Sequence, residues 1–371
     1  MILDNNQQAF FALVRAGLWG EEVRLLPYHD IDYGIVSRMA EDQSVVGLIA
    51  DGLNHVTDVK AAKRDVLQFV GKTLLLEQHN LEMNTYINGL MNRLWKEGVY
   101  SVLVKGQGVA QCYEHPLWRA AGDIDLLLDA ENYEKAKLVL LPHAEFVETE
   151  FSFFKHVGMT LDGWEVELHG TFRSRLSKRI DDIIDKIQED VFKNGEVRVW
   201  RNVDTDVLLP APDVDVIFVF THFIHHFFFE GIGLRQICDW CRLLWTYRES
   251  INRELLERRI NSMGLMSEWK SFAAFAVDWL GMPPDSMPFY SSDARWRKKA
   301  SRIKTFVLKV GNMGHNQSRQ VHERPYLWRK FVSFWGRLAD MLRHFIIFPK
   351  DSIVFFGGVI RSGMHAAVRG E

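Results

Sequence analysis

Gly122-Asp123-Ile124-Asp125-Leu126-Leu127-Leu128-Asp129 decides how this chain is read. Two aspartates stand one residue apart in a run whose inner members are otherwise Ile and Leu. In a β-strand, residues i and i+2 project from one face, so the carboxylates of Asp123 and Asp125 point into the same space. Like charges that close repel, and the apolar flanks add a desolvation cost to each. The pair calls for a compensating cation, and oxygen donors of this kind suit Mg²⁺ or Mn²⁺. A strand that holds divalent metal at its end points to phosphoryl or nucleotidyl transfer.

Working outward, residues 100–104 are a short β-branched and apolar run, broken by Lys105-Gly106-Gln107-Gly108, and a helix is expected over 109–113. Residues 1–97 read as helical. Phe10, Leu13, Val14 and Leu18 recur at helical spacing, as do Leu74, Leu81, Ile87, Leu90 and Leu94, and Gly98 fits a helix stop. Downstream, 130–141 reads as a helix with Tyr133, Ala136 and Leu140 on one face. Two alternating runs, 155–161 and 164–169, flank Asp162-Gly163, the strongest short hairpin signal a sequence offers. In the second run Trp164, Val166 and Leu168 share one face, and Glu165, Glu167 and His169 share the other. Short strands are expected at 197–200 and 207–209, with a boundary at Pro210-Ala211-Pro212. Beyond it, helical spacing runs through 213–229, 234–247, 251–263, 268–280, 300–310 and 326–348, with a loop over 283–295. The expected fold class is α+β: a small mixed β-sheet core at 98–210, flanked by helical regions at 1–97 and 211–371.

Bulk properties set bounds. Of the 371 residues 47% are hydrophobic and 25% charged, the values of an ordinary globular chain. A net charge of −3 argues against a general nucleic-acid coat. Three cysteines cannot make a disulfide framework, and the first residues lack a basic segment followed by an apolar one, so a cytoplasmic location is expected. The most apolar internal run, 216–229, is too short to span a bilayer and contains three histidines.

A glycine-containing turn, a strand with two aspartates and a carboxylate on a later strand outline a two-metal transfer site. Glu167 is the first choice for the third carboxylate, which completes the site near an acceptor hydroxyl and helps to deprotonate it; Glu165 shares its face and is the fallback. The arrangement resembles the DNA polymerase β-like nucleotidyltransferase superfamily. More narrowly, it looks like a bacterial family of uncharacterised nucleotidyltransferases, on Val104-Lys105-Gly106, Arg119, Asp123-Ile124-Asp125-Leu126-Leu127-Leu128 and Glu167-Leu168-His169. His225-His226, the stretch Gly231-Ile232-Gly233-Leu234-Arg235-Gln236-Ile237-Cys238-Asp239-Trp240 and Gly311-Asn312-Met313-Gly314-His315-Asn316 extend the resemblance over roughly residues 10–335.

The resemblance implies an enzyme that binds Mg²⁺ (or Mn²⁺) and a nucleoside triphosphate such as ATP, and transfers a nucleotidyl group to a hydroxyl. It implies metal ligation by Asp123, Asp125 and Glu167, and triphosphate contact by Lys105, Gly106, Gln107, Arg119 and Arg235. Members usually carry Gly-Ser or Gly-Gly in the turn where this chain has Gly106-Gln107. The acceptor is open: a protein, an RNA end, a small molecule or a saccharide carrier. No obligate protein partner is implied, and the competing reading is a nucleotide-binding or partner-organising protein without catalysis.

Other features carry two readings each. Arg119 pairs with Asp123 or Asp129 at the surface, or contacts phosphate. Arg235 pairs with Asp239 at i, i+4, or reaches the nucleotide. His222, His225 and His226 share a helix surface, as metal ligands or as pocket-facing or core histidines. Cys238 and Cys241 match C-x-x-C without a partner pair. Leu327, Phe331, Phe334, Leu338, Met341 and Phe345 form a stripe that packs a core or, with Arg329, Lys330, Arg337 and Arg343, touches a membrane surface weakly. The apolar run at 352–360 is too short to span.

Overall fold

The hairpin beside the aspartates forms, and it sets the sheet. The computed structural model describes residues 3–150, 155–311 and 343–355. In it β1 (Val102–Val104), β2 (Asp123–Leu127), β3 (Phe146–Val147), β4 (His156–Leu161) and β5 (Trp164–His169) make one sheet in the order β1-β2-β5-β4-β3. β2 and β5 are parallel, and the other pairings are antiparallel. Asp162 and Gly163 adopt φ of 51° and 78°, as a primed two-residue turn requires. β6 (Val197–Asn202) and β7 (Thr205–Pro210) form a separate hairpin. A mixed sheet flanked by helices makes the fold α+β.

Four helices precede the sheet: α1 (Asn5–Trp19), α2 (Tyr33–Asp42), α3 (Val46–Asn54) and α4 (Lys63–Lys96). Asp4 and Asp32 cap the first two by accepting backbone N–H groups. A Cβ on Gly17 would lie 2.0 Å from the Leu48 carbonyl oxygen, and one on Gly52 2.1 Å from that of Leu13. Glycine alone allows α1 and α3 to cross so closely. Within the core come α5 (Gly106–Ala110), α6 (Ala130–Leu140) and α7 (Lys178–Lys193), and after Pro210 come α8 (Pro212–Phe229), α9 (Leu234–Thr246), α10 (Arg253–Met263), α11 (Met266–Leu280) and α12 (Ala294–Val310). Residues 343–347 and 349–355 are also helical. Among the described residues no helix is long and apolar enough to cross a membrane.

Alternation along the strands divides the interior. Ile124, Leu126, Val166 and Leu168 point into a core closed by Met83, Ile87 and Leu90 of α4, by Tyr133, Ala136 and Leu140 of α6 and by Val207 and Leu209 of β7. Each such aliphatic side chain contributes about 2 kcal/mol by leaving water. Val102, Val104 and Leu127 point the other way, into a larger core shared with Phe10 and Phe11 of α1, Phe218 and Phe223 of α8, Trp240 of α9 and Trp269 of α11. The charged residues of β2 and β5 lie on this second face, beneath α8 and α9.

Local expectations change in three places. The helix after β1 starts at Gly106 rather than 109, because Lys105 at φ 56° turns the chain directly into it. Leu74 and Leu81 are exposed, not buried: the inward stripe of α4 runs through Thr73, Asn80, Met83 and Ile87, and these leucines sit one residue, about 100°, around from it. α12 starts at Ala294, where the Asp293 side chain accepts the Arg295 N–H. Of the stretches 311–316, 326–348 and 352–360, only Gly311, 343–348 and 352–355 lie among the described residues.

Candidate active site

β2 and β5 run side by side, with Asp123 opposite Glu165 and Asp125 opposite Glu167. In-register neighbours share a face, so acidic groups from both strands meet. Carboxylate oxygens of Asp123, Asp125 and Glu167 lie within 4.8 Å of one another. They line a cavity of about 300 Å³ together with Lys105, Gly106 and His169. The far wall is helical: His222, His225 and His226 of α8, and Arg235, Gln236 and Asp239 of α9.

The three carboxylates are electrostatically unequal. Asp125 is 1% exposed; Lys105 Nζ donates to its Oδ1 at 2.8 Å, and His169 Nε2 lies 2.7 Å from the same atom. Burial favours the neutral form of Asp125, but Lys105 and His169 outweigh it and hold the carboxyl below the usual range. Burial also works against Glu167, yet His156 and His169 lower its carboxyl far below the ordinary value. For Asp123 the balance reverses: the charge of Asp125, then burial, raises it. His169 is raised despite burial, through Asp125 and Glu167. Lys105 is raised likewise, chiefly by Asp125 against its own desolvation. Its positive φ costs a non-glycine residue about 1 kcal/mol or more, and the ion pair to Asp125 holds the side chain in place. Three converging carboxylates are a hard-oxygen donor set, which fits a divalent cation such as Mg²⁺ or Mn²⁺.

Of the residues expected at the triphosphate, the cavity brings together Lys105, Gly106, Arg119 and Arg235 but not Gln107. With α5 starting at Gly106, the Gln107 side chain turns toward α4 and donates to Asn80 Oδ1 at 2.7 Å. Arg119 pairs neither with Asp123 nor with Asp129. Its Nε and Nη2 donate to the two oxygens of Asp239 at 3.1 and 2.7 Å, and Tyr113 donates to the same carboxylate at 2.8 Å. Asp239 is thus engaged away from Arg235, whose Nη1 donates to the Ala120 carbonyl at 2.9 Å. Glu165, the fallback carboxylate, is exposed and accepts from Thr160 Oγ1.

The three histidines of α8 face the cavity; His222 and His226 lie Nε2 to Nε2 at 2.9 Å, and Glu230 is 2.7 Å from His226 Nδ1. Burial, then Lys105, lowers His222 well below the ordinary imidazole range. Cys238 and Cys241 are buried in α9, and burial raises both thiols. Sequence reasoning gave no role to His156, Arg173 or Arg175, all on the cavity wall. His156 had a signal: it and His169 are equidistant from the Asp162-Gly163 turn, so the hairpin register makes them neighbours. The arginines had none.

A small mixed sheet presenting convergent carboxylates into a cleft beneath a helical wall defines an α+β protein with a metal-type acidic site. Residues 29–281 match the family described as uncharacterised nucleotidyltransferase, and the chain belongs to that family. No curated protein and no solved structure matches the chain.

Proposed function

We propose that the protein transfers a nucleoside monophosphate from a nucleoside triphosphate to an acceptor hydroxyl, releasing pyrophosphate. The observation that carries this reading is the meeting of Asp123, Asp125 and Glu167 within one cavity. Lys105 follows β1 directly, and the sheet order puts β1 and β5 on opposite sides of Asp125. The triphosphate therefore lies toward Lys105, Gly106 and Arg235, and the acceptor toward β5 and α8. Arg119 acts at one remove, by fixing Asp239 in the wall. The acceptor oxygen bonds to the α-phosphorus, the bridging bond to the β-phosphate breaks, and its electron pair leaves with pyrophosphate. The hydroxyl proton passes to Glu167, which lies on β5, the side given to the acceptor. A divalent cation bound by the three carboxylates supplies charge neutralisation on the phosphates.

Labelled nucleotides, Mg²⁺ or Mn²⁺ and a cell extract test the reading. Wild type labels an acceptor and the Asp123→Ala/Asp125→Ala double variant does not; equal labelling by both removes the proposal. A second reading, nucleotide binding without transfer, draws on the seating of Lys105 and His169 on Asp125, which gives that carboxylate internal cations. Calorimetry separates the two: transfer requires nucleotide binding that depends on divalent metal, whereas a sensor binds without it.

A further inference from the structure

Two imidazoles stand beside the acidic triad on its face of the sheet, and a cation on them would replace the 2.7 Å contact of His169 Nε2 with Asp125 Oδ1. His156 and His169 stand opposite each other on β4 and β5, with ring centroids 4.8 Å apart. Both Nε2 atoms close on one oxygen, Oε2 of Glu167, at 3.1 and 3.2 Å. One donor atom from each of the three residues lies within 4.8 Å of the others. A cation with bonds of about 2.1 Å separates adjacent donors by about 3.0 Å in an octahedron and about 3.4 Å in a tetrahedron. The two measured edges fall between those values.

The surroundings suit an ion as well. The side chains of His156, His169 and Glu167 are 18%, 14% and 32% exposed, so they are enclosed yet open to the cavity they line. Gly158, opposite Glu167 on β4, leaves room that the Glu148 side chain enters, its Oε2 2.9 Å from where a Cβ would stand. Two imidazole nitrogens and one carboxylate are a donor set for zinc-like ions. Mg²⁺ prefers oxygen throughout.

We propose that His156, Glu167 and His169 form a second cation position, sharing Glu167 with the Asp123–Asp125–Glu167 group, and that it takes an imidazole-binding transition ion of the Zn²⁺ or Co²⁺ class rather than Mg²⁺. The two positions then differ in chemistry, one ligated by oxygen alone and the other chiefly by nitrogen. The inference concerns the cation of the proposed transfer site, but it stands on metal binding and not on transfer.

The test uses the full chain stripped of metal by chelator and reloaded with one equivalent of Zn²⁺. X-ray absorption at the zinc edge counts imidazole ligands through their outer-shell scattering, and calorimetry measures affinity. Wild type shows imidazole scattering, His156→Gln loses one imidazole, and its Zn²⁺ affinity falls by about tenfold or more. Mg²⁺ affinity falls by less than Zn²⁺ affinity in the same variant, because His156 reaches the oxygen site only through its contact with Glu167. Zinc without imidazole scattering in wild type overturns the proposal, and this arm needs no variant to fold. An unchanged imidazole count in folded His156→Gln also overturns it, because the zinc then sits elsewhere, such as on the histidines of α8. Zinc bound as expected with no nucleotide transfer upholds the inference and removes the transfer reading; transfer with Mg²⁺ and no imidazole on zinc does the reverse.

Discussion

At Asp125 and Leu126 the two faces of β2 are equally buried and chemically opposite. Leu126 is 0% exposed and Asp125, one residue before it, is 1% exposed. Leu126 lies among Val166, Leu168 and the apolar side chains of α4 and α6. Asp125 lies against Lys105 and His169. Burial is therefore not what separates the apolar face from the acidic one. The difference is compensation: removal from water stabilises the leucine outright, whereas the aspartate needs a cation and donors to offset its lost hydration. Strand alternation places both requirements on one chain segment.

Substitutions at adjacent positions are the sharpest way to break this contrast. Asp125→Asn keeps the shape and removes the charge, so we expect nucleotide transfer to fall by about 10³-fold, close to 4 kcal/mol of transition-state stabilisation. The labelled-nucleotide assay measures it. Leu126→Ala should cost about 3 kcal/mol of folding stability, in the range of cavity-forming substitutions, with transfer per folded molecule largely kept. Denaturant unfolding alongside the same assay checks this. If Leu126→Ala silences folded protein, or Asp125→Asn leaves transfer intact, the division between faces is wrong.

That division was largely legible in the sequence. The Asp-x-Asp spacing and the Asp162-Gly163 turn each carry a local physical constraint, so β2, the β4–β5 hairpin and the face holding Glu167 follow from period two alone. What the sequence could not show is pairing between distant segments. Arg119 meets Asp239 across 120 residues, and no short-range spacing encodes that meeting. The wall formed by α8 and α9 is likewise a product of tertiary packing. Gln107 turned away from the site because α5 starts at Gly106, a boundary shift of three residues that redirects the side chains of the first turn. In α4 the error was one of phase: Leu74 and Leu81 satisfy helical spacing with each other, but the stripe that meets the core passes through Thr73 and Asn80, which polarity alone did not recommend.

Glu268 sharpens the comparison from outside the site. It is 0% exposed on α11, and burial, reinforced by Asp351, raises its carboxyl well above the ordinary value even though Lys299 pulls the other way. A buried carboxylate without a dominant cation is thus pushed toward its neutral form, whereas two imidazoles push Glu167 toward its ionised one. The sign follows from linkage: the folded state holds the Glu268 proton more tightly than the unfolded chain does. Its contribution is complete below about pH 4.5, the unfolded value, and is lost as pH rises toward the folded one. Glu268→Gln should flatten that decline, by less than the cost of Leu126→Ala, in urea unfolding between pH 4.5 and 8. A variant that follows the wild-type slope would mean that Glu268 is ionised in the folded protein and that Lys299 compensates it.

Glu165 gives the smallest expected effect and the strictest control. It lies two residues before Glu167 on the same face and opposite Asp123 in register, so acidity and proximity in sequence qualify it as well as Glu167. Geometry does not: its side chain is exposed and bound by Thr160 Oγ1 at 2.9 Å, and the carboxylate group that meets around the cavity excludes it. The raised carboxyl of Asp123 is traced mainly to Asp125 and burial, with Glu167 as a further contributor. Glu165→Gln should therefore change stability by less than about 0.5 kcal/mol and leave both divalent-metal affinity and transfer within about twofold. Calorimetric titration with Mn²⁺ and the transfer assay are sufficient to check it. A large loss would show that the strand face acts as a diffuse acidic surface, and the convergence of Asp123, Asp125 and Glu167 would no longer explain the site.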